Sequence, residues 1–531
     1  VDARQRWENT FARVKLPAPV TAELVWFEVS PEELRLAWET DFEVDGQRWL
    51  QSFVDAETGE VLQQINRYLD SGPEGTVFTG QHPEDSGPRA ITPFTGIDGS
   101  WVDVEHSTGN NVLAYRDLAD DDDGASGNVI STPPAPDPEY QHFNYPWTDA
   151  WRTTADETDQ SALDADLEAV ITQLFYYTNV MHDWLYDLGF DEASGNFQVN
   201  NFGRGGSGND PVKAEAQDGW DFGCVDDMDN EDPGDDVAIR CRNNANFATP
   251  ADGTSPRMQM YVWYPTRPFR DGSMDGDVIA HEYGHGVSNR LVGGGSLGDA
   301  MVNRSLGEGW SDILSFLKWG DTTVGEYVTG NSTTGIRRVA YDTSTQTYST
   351  YNPNAGSPHP NGEVWATMVY DIRAELGIDA TSQLVIDGMK ATSASPDYMD
   401  ARDGIITADA GDNFCMLWRI FANRGLGLNA TFNGASNSPP ADNFDLHANC
   451  IPTADAGGPY NTDEGTDIQL DATASTGGSD PSGDEIVSYD WDFDNDSDYD
   501  DATGATPTFT MVGDNNVFPI GLQITTEAGI T

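Results

Sequence analysis

Two short motifs constrain the fold of this chain more than any other feature of its 531 residues. The first spans residues 281–285 (HEYGH) and the second spans residues 307–312 (GEGWSD). Histidines four residues apart project from one face of an α-helix, so His281 and His285 can bind one metal ion. A catalytic zinc needs three protein ligands and one open position, and Glu308 is the natural third ligand. Any fold of this chain must therefore bring the second motif against the first.

The residue between the two histidines predicts a reaction as well as a metal. Glu282 lies one step round the helix from His281 and faces the same cleft without binding the metal, which is the place of the general base in a zinc peptidase. With 8 histidines in the chain, the motif arises by chance with a probability on the order of 1%. The alternative is a helix whose histidines merely pack against neighbours. Acidic and then apolar residues at 275–280 indicate the start of a partly buried helix.

Composition excludes several classes of function. The chain carries 89 Asp and Glu against 27 Lys and Arg, a net charge of -62. Such a charge excludes sequence-independent binding to nucleic acid and disfavours anionic membrane surfaces, so we expect basic or neutral partners. No run of eighteen apolar residues occurs, and we therefore expect no membrane-spanning segment. The length predicts two to four domains.

Four cysteines bear on the cellular compartment. Four cysteines allow three pairings, and their clustering along the chain favours Cys224 with Cys241 and Cys415 with Cys450. Neither pair has the spacing of a zinc finger. Disulfides would fit a secreted protein, whereas the alternative is four buried free thiols.

Alternating hydrophobicity predicts β-structure at both ends of the chain. Residues 1–70 contain four runs typical of half-buried strands, at 24–29, 34–39, 49–54 and 60–64. Residues 71–73 (SGP) then mark a boundary. Residues 453–531 alternate in the same way, which predicts an antiparallel β-sandwich. The strands expected there are 468–470, 486–491, 508–511 and 520–524.

Between these ends the pattern is mainly helical. Residues 161–188 have helical spacing, and His182 within them is expected to be structural. Residues 257–263 alternate like a strand, beside which an extended peptide could pair. Further helices are predicted at 313–319, 364–376, 380–389 and 414–421.

Two acidic segments raise the question of calcium. The run Asp120–Asp123 is most simply a solvated loop, with a calcium site as the alternative. Aspartates alternate from Asp492 to Asp500, but the glycine and the closing glutamate of an EF-hand are missing. We interpret the second segment as a turn with optional calcium.

Six stretches together resemble a fungalysin-type metallopeptidase, a secreted relative of the thermolysin group. They are residues 175–186, 189–198, 243–247, 255–261, 281–285 and 307–312. The resemblance implies an α+β fold with two lobes, a mixed α/β N-lobe at 75–290 and a mainly α C-lobe at 291–452. Residues 1–70 are similar to the later part of the family's propeptide, an antiparallel α+β segment with an inhibitory and chaperone role. Residues 453–531 resemble a polycystic-kidney-disease (PKD) domain, through 454–460 (ADAGGPY) and 489–493 (YDWDF).

The resemblance also assigns roles around the metal. His281, His285 and Glu308 would hold one zinc ion, and Glu282 would act as general base. Asp312 would accept a hydrogen bond from the free nitrogen of His281 and orient the ring; otherwise it is an ordinary surface carboxylate.

His359 matches a histidine that, in this group, stabilises the developing oxyanion; otherwise it is a solvent-exposed loop residue. Tyr351 is nearby in sequence but is not assigned a role.

Substrate binding is implied at one strand, and two positions depart from the thermolysin pattern. Asn244 and Ala245 match the strand that holds the substrate backbone; a plain edge strand is the alternative. Phe247 is a candidate for the hydrophobic specificity pocket. No tyrosine occurs between the second histidine and the glutamate, where this group carries an oxyanion donor. Gly307 replaces an asparagine, so support for His285 must come from elsewhere.

Taken together, the sequence predicts a secreted, extracellular zinc endopeptidase made as a zymogen. We expect protein or peptide substrates, its own prosegment as inhibitor, one catalytic zinc, an optional calcium and a monomeric state. One alternative is a catalytically silent, matrix-binding protein that uses the PKD-like module. Another is a zinc hydrolase acting on a non-peptide amide.

Overall fold

A computed structural model of the chain describes sixteen segments. They are residues 20–30, 33–45, 48–59, 61–66, 73–97, 101–102, 106–117, 130, 142–153, 160–219, 242–263, 269–432, 438–478, 485–510, 517–527 and 529–531. The described residues fall into two units, one ending at Pro73 and the other beginning at Glu74. Both helices and sheets are present, so the chain is a mixed α+β protein, as the sequence predicts.

The first unit contains one antiparallel sheet. Its strands, in sheet order, are β1 (Thr21–Ser30), β2 (Glu33–Asp45), β3 (Arg48–Asp55) and β4 (Val61–Asn66). The first three predicted runs fall within β1 to β3, and the fourth overlaps β4. Leu24, Trp26 and Leu34 are 44%, 69% and 60% exposed. The sheet therefore presents an apolar face to solvent.

The second unit opens with short strands in three sheets. The strands are β5 (Glu74–Val77), β6 (Ala90–Pro93), β7 (Val112–Arg116), β8 (His142–Phe143), β9 (Val212–Ala216), β10 (Ala245–Ala248), β11 (Arg257–Met260), β12 (Val262–Trp263) and β13 (Arg270–Asp271). The largest of these sheets has the order β10-β11-β9-β7, with β9 parallel to both its neighbours and β10 antiparallel to β11. β10 is thus an edge strand.

Ten α-helices accompany these sheets in the described residues. They are α1 (Ala150–Thr153), α2 (Gln160–Asp164), α3 (Leu167–Asp187), α4 (Gly276–Leu291), α5 (Met301–Trp319), α6 (Glu326–Thr329), α7 (His359–Leu376), α8 (Ile378–Ala391), α9 (Tyr398–Ala408) and α10 (Phe414–Asn423). The predicted helix at 161–188 is divided into α2 and α3. The helices predicted from 313 and 364 begin earlier, at Met301 and His359, and α9 was not predicted.

Small residues let the helices around the two motifs approach closely. A Cβ on Gly284 of α4 would lie 2.7 Å from the Ser311 Cα of α5. Across the other side of α5, the Trp310 and Trp365 rings meet at 4.9 Å, nearly edge to face, and both are fully buried. α5 is therefore held between α4 and α7, which fixes the second motif against the first.

The C-terminal part of the second unit contains two small antiparallel sheets. One pairs β14 (Asp467–Gln469) with β17 (Thr508–Thr510), and the other has the order β16 (Ala502–Thr503), β15 (Ile486–Asp492), β18 (Gly521–Thr526). Trp491 and Phe509 belong to one small buried core. A disulfide joins Cys415 of α10 to Cys450, the second of the two predicted pairs. Cys224 and Cys241 lie outside the described residues.

Candidate metal and active site

The first motif lies on α4, as its spacing predicts. The helix begins after Asp275, whose side chain accepts hydrogen bonds from the backbone N–H groups of Asp277 and Val278 and so caps the N-terminus. The His281 and His285 rings project from the same face, with centroids 4.8 Å apart. α4 is buried along nearly all its length, which holds both rings in place.

Glu308 of α5 completes a group of three possible metal ligands. Its Oε2 lies 3.3 Å from His281 Nε2 and 3.9 Å from His285 Nε2. One ligand atom from each of the three residues lies within 4.8 Å of the others. Two imidazole nitrogens and one carboxylate oxygen form a donor set that suits a catalytic zinc ion.

Two buried carboxylate oxygens at the group of three possible ligands could bind a metal ion and a reacting water. Glu308 Oε2 and Glu282 Oε2 are both buried, and neither accepts a well-aligned hydrogen bond from a described residue, although the Nε2 atoms of His281 and His359 lie 3.3 and 3.2 Å from Glu308 Oε2. An unsatisfied buried carboxylate oxygen is costly, so its presence points to a partner other than protein. Burial raises the pKa of Glu282 to about 7. Burial would also raise the pKa of Glu308, but His285 and His281 together lower it to about 2.

Asp312 contacts His281, as the resemblance implied. Its Oδ1 lies 2.6 Å from His281 Nδ1, and the residue is 1% exposed. Arg337 donates to the same carboxylate through Nε and Nη2, both at 2.6 Å, and the Tyr341 hydroxyl donates to Asp312 Oδ2. Burial lowers the pKa of His281, but Asp312 outweighs it and raises the value to about 9.

His285 has no comparable support. No described residue makes a hydrogen bond with its ring, and its side chain is 22% exposed. A Cβ on Gly307 would lie 3.8 Å from His285 Nδ1, so a larger side chain at 307 would face this ring. Burial lowers the pKa of His285 to about 4, and Glu308 opposes this only in part.

His359 also lies beside Glu308, but it is carried by α7 and not by α4 or α5. It is the first residue of α7, its Nε2 is 3.2 Å from Glu308 Oε2, and its side chain is 45% exposed. The Ser357 hydroxyl is hydrogen-bonded to its Nδ1. Partial burial lowers the pKa of His359, so the ring can be neutral and still donate from Nε2.

These side chains line one cavity of about 400 Å³. Asn244, which directly precedes the edge strand β10, and Ala245 and Phe247 of β10 border this cavity, so the predicted substrate-binding residues lie beside the three possible metal ligands. Tyr351 is buried and packs on Tyr398. His182 lies on α3 against Asp183, 2.9 Å from its carboxylate, and belongs to none of the possible metal groups.

Sequence reasoning missed two arginines that border the cavity, Arg337 and Arg304. Arg337 follows Asp312 by 25 residues and reaches it through a loop, so helical periodicity cannot connect the two. Arg304 precedes Glu308 by one helical turn, a spacing that the sequence does contain.

Three further groups of carboxylates have the spacing of possible cation sites. Asp492 and Asp494, from the alternating run, approach Asp501. The other two groups, which the sequence did not reveal, are Asp117 with Glu215 and Asp218, and Asp277 with Asp321 and Glu326. Asp120–Asp123 lie outside the described residues. Among the described residues, no helix has the length and apolar character of a membrane-spanning segment.

Comparison with known proteins gives a consistent result. The model of one family, fungalysin metallopeptidase (M36), matches residues 79–430. Extracellular metalloproteinase 3 of Arthroderma otae is 34% identical over 493 residues, which cover 83% of this chain and 72% of the relative. Extracellular metalloproteinase MEP of Pyricularia oryzae is 35% identical over 473 residues, which cover 78% and 68%.

Proposed function

Because the chain belongs to the fungalysin family of metallopeptidases (M36), we propose that it is a secreted zinc endopeptidase that hydrolyses extracellular proteins. The convergence of His281, His285 and Glu308 on one point carries the proposal. Relatives named extracellular metalloproteinases support both the activity and the location. When bound by these three residues, zinc would polarise the peptide carbonyl and acidify a water molecule.

Glu282 acts as the general base in this proposal. Its carboxylate takes a proton from the attacking water and transfers it to the leaving amine. A pKa raised by burial suits both steps, since the same group must accept and then release a proton near neutral pH. The buried Oε2, which accepts no hydrogen bond from described residues, supports this role.

Asp312 and His359 support the reaction in different ways. Asp312 accepts a hydrogen bond from His281 Nδ1–H, which keeps the proton on Nδ1 and so leaves Nε2 to bind metal. His359 donates from Nε2 to the oxygen that gains charge as the carbonyl is attacked. Its place beside Glu308 at the mouth of the cavity supports this role.

The edge strand β10 would hold the substrate. An extended peptide can add to a free sheet edge through main-chain hydrogen bonds. Asn244 and Ala245 lie at the start of this edge, beside the metal ligands, and Phe247 offers an apolar surface farther along it. A peptide paired there would pass its scissile carbonyl across the ligand group.

The regions on either side of the catalytic part would regulate and assist it. We propose that residues 1–70 are the inhibitory prosegment of a zymogen, and the exposed apolar face around Trp26 supports a docking role. Separately produced prosegment should then suppress proteolysis when mixed with residues 75–452; unaltered proteolysis would refute inhibition.

Residues 453–531 would form a PKD-like β-sandwich that assists binding to insoluble substrates, with calcium as an option at Asp492. Deleting them should weaken retention on an insoluble protein matrix while soluble peptides are still cleaved. Equal retention would contradict this role. We further propose that the catalytic domain has two lobes. We also propose that the enzyme is a monomer, and light scattering can check its molar mass.

Glu282→Gln tests the central proposal. Because the change removes the base but none of the ligands, we expect zinc content to remain near one per chain while casein hydrolysis falls by roughly 10²-fold or more. Chelation of the unchanged protein should abolish hydrolysis, and added zinc should restore it.

Hydrolysis that survives complete zinc removal would overturn the proposal. Absence of proteolysis in the zinc-loaded protein, together with binding to matrix, would favour the catalytically silent alternative.

A further inference from the structure

Arg304 lies on the same helix as Glu308 and borders the same cavity. It precedes Glu308 by four residues on α5, so the two side chains share one helix face. Arg304 is exposed, whereas most of α5 around it is buried. A charged side chain is thus presented to solvent at the rim of the cavity.

The guanidinium of Arg304 has no protein partner. Among the arginines whose side chains the structure describes, it alone makes no hydrogen bond, ion pair or ring contact with another residue. The chain has 89 acidic residues for 27 basic ones, so an arginine that forms no ion pair is exceptional among the described residues. Arg337, the other arginine at this cavity, is buried and donates Nε and Nη2 to Asp312. Among the described residues that line the cavity, Arg304 is therefore the exposed arginine, with its guanidinium open to a ligand in the cleft.

The position of Gly307 shows on which side of the metal ligands Arg304 lies. Gly307 is three residues farther along the same face, and its missing side chain would point at Leu297 and His285. Arg304 therefore extends the His285 side of the cavity, whereas Arg337 lies against His281. Asp299 also borders the cavity and is exposed, but it forms no ion pair with Arg304.

We propose that Arg304 gives the enzyme a preference for substrates that carry Asp or Glu at one position beside the scissile bond, on the His285 side. The inference rests on the proposed peptidase function and extends it to specificity. A guanidinium presents paired N–H donors that match the two oxygens of a carboxylate. The chain's overall negative charge repels all acidic peptides alike, so a preference at a single position would come from a group beside that position, such as the Arg304 guanidinium.

Paired peptides measure the preference. Each pair differs only by Glu against Gln, at one of three positions on either side of the cleaved bond. At low salt, we expect kcat/KM for the Glu peptide to exceed that for the Gln peptide by roughly 5-fold at one position. Arg304→Gln should bring that ratio to about 1. Arg304→Glu should reverse it, so that a Lys peptide becomes the better substrate. Arg204→Gln removes the same charge outside the cavity and should leave the ratio unchanged.

Two results would overturn the inference while leaving the peptidase function intact. One is cleavage with no Glu preference at any position. A Lys preference in the unaltered enzyme would count equally against it, since it would mean that Asp299 sets the charge preference at the rim of the cavity. The other is a Glu preference that survives Arg304→Gln. If the zinc-loaded protein cleaves no peptide at all, the proposed function fails and this inference with it.

Discussion

The two histidines of the proposed metal site lie one helical turn apart, yet their surroundings differ sharply. On the His281 side, Asp312 contacts the ring at 2.6 Å and is itself held by Arg337 and Tyr341. On the His285 side, no described residue makes a hydrogen bond with the ring. One proposed ligand is thus oriented by a buried ionic network, and the other by its place on α4 without a hydrogen bond from a described residue.

The pKa values of the two histidines differ as their hydrogen bonds do. Burial acts to lower both pKa values, but Asp312 raises that of His281 to about 9, while that of His285 falls to about 4. The carboxylate that favours a proton on His281 also favours a metal ion there, because both are positive charges. Zinc affinity should therefore depend far more on contacts of the His281 side than on those of the His285 side.

Asp312→Ala removes the difference between the two sides and should have the largest effect. Loss of a carboxylate behind a metal-binding histidine typically costs 10- to 100-fold in metal affinity, and we expect that loss by competition with a chromogenic chelator. Arg337 would also be left as a buried, unpaired charge, which should lower the free energy of unfolding by about 3–5 kcal/mol.

A double variant separates the two effects of this change. Asp312→Ala combined with Arg337→Leu removes the unpaired charge, so stability in urea should largely recover while zinc affinity stays low. Recovery of zinc affinity together with stability would show that Asp312 acts only on folding. Unchanged affinity in the single variant would contradict the proposed role of the His281 side.

The sequence was sufficient for the residues that regular geometry connects. The spacing of four places His281 beside His285 on α4, and the same spacing places Asp312 beside Glu308 on α5. Glycine, however, lowers helix propensity, so Gly307 and Gly309 concealed the start of α5. A Cβ on Gly309 would lie 2.8 Å from the Gly362 carbonyl oxygen of α7. The close packing that requires this glycine is tertiary and invisible in one sequence.

Contacts made through loops could not be predicted either. Arg337 reaches Asp312, and Tyr341 follows it, from a segment between α6 and α7 with no hydrophobic period. Family resemblance placed His359, Asn244 and Ala245 at the site. It also identified Gly307 as a departure from the thermolysin pattern, which has an asparagine there. In the structure, a Cβ at this position would lie 3.8 Å from His285 Nδ1, so the missing side chain is one that could contact this ring.

Gly307→Asn would make the two sides more alike and should have the smaller effect. The new Cβ fits, since its nearest neighbour is Leu297 Cδ2 at 3.4 Å, and the amide oxygen can accept a hydrogen bond from His285 Nδ1. One such bond contributes about 0.5–1.5 kcal/mol, so zinc affinity should rise roughly 2- to 10-fold. Gly307→Ala is the matched control, because it adds the same Cβ and helix propensity without the acceptor. An equal rise in both variants would show that backbone stiffening alone tightens the site, and no rise in either would show that α4 already orients His285 fully.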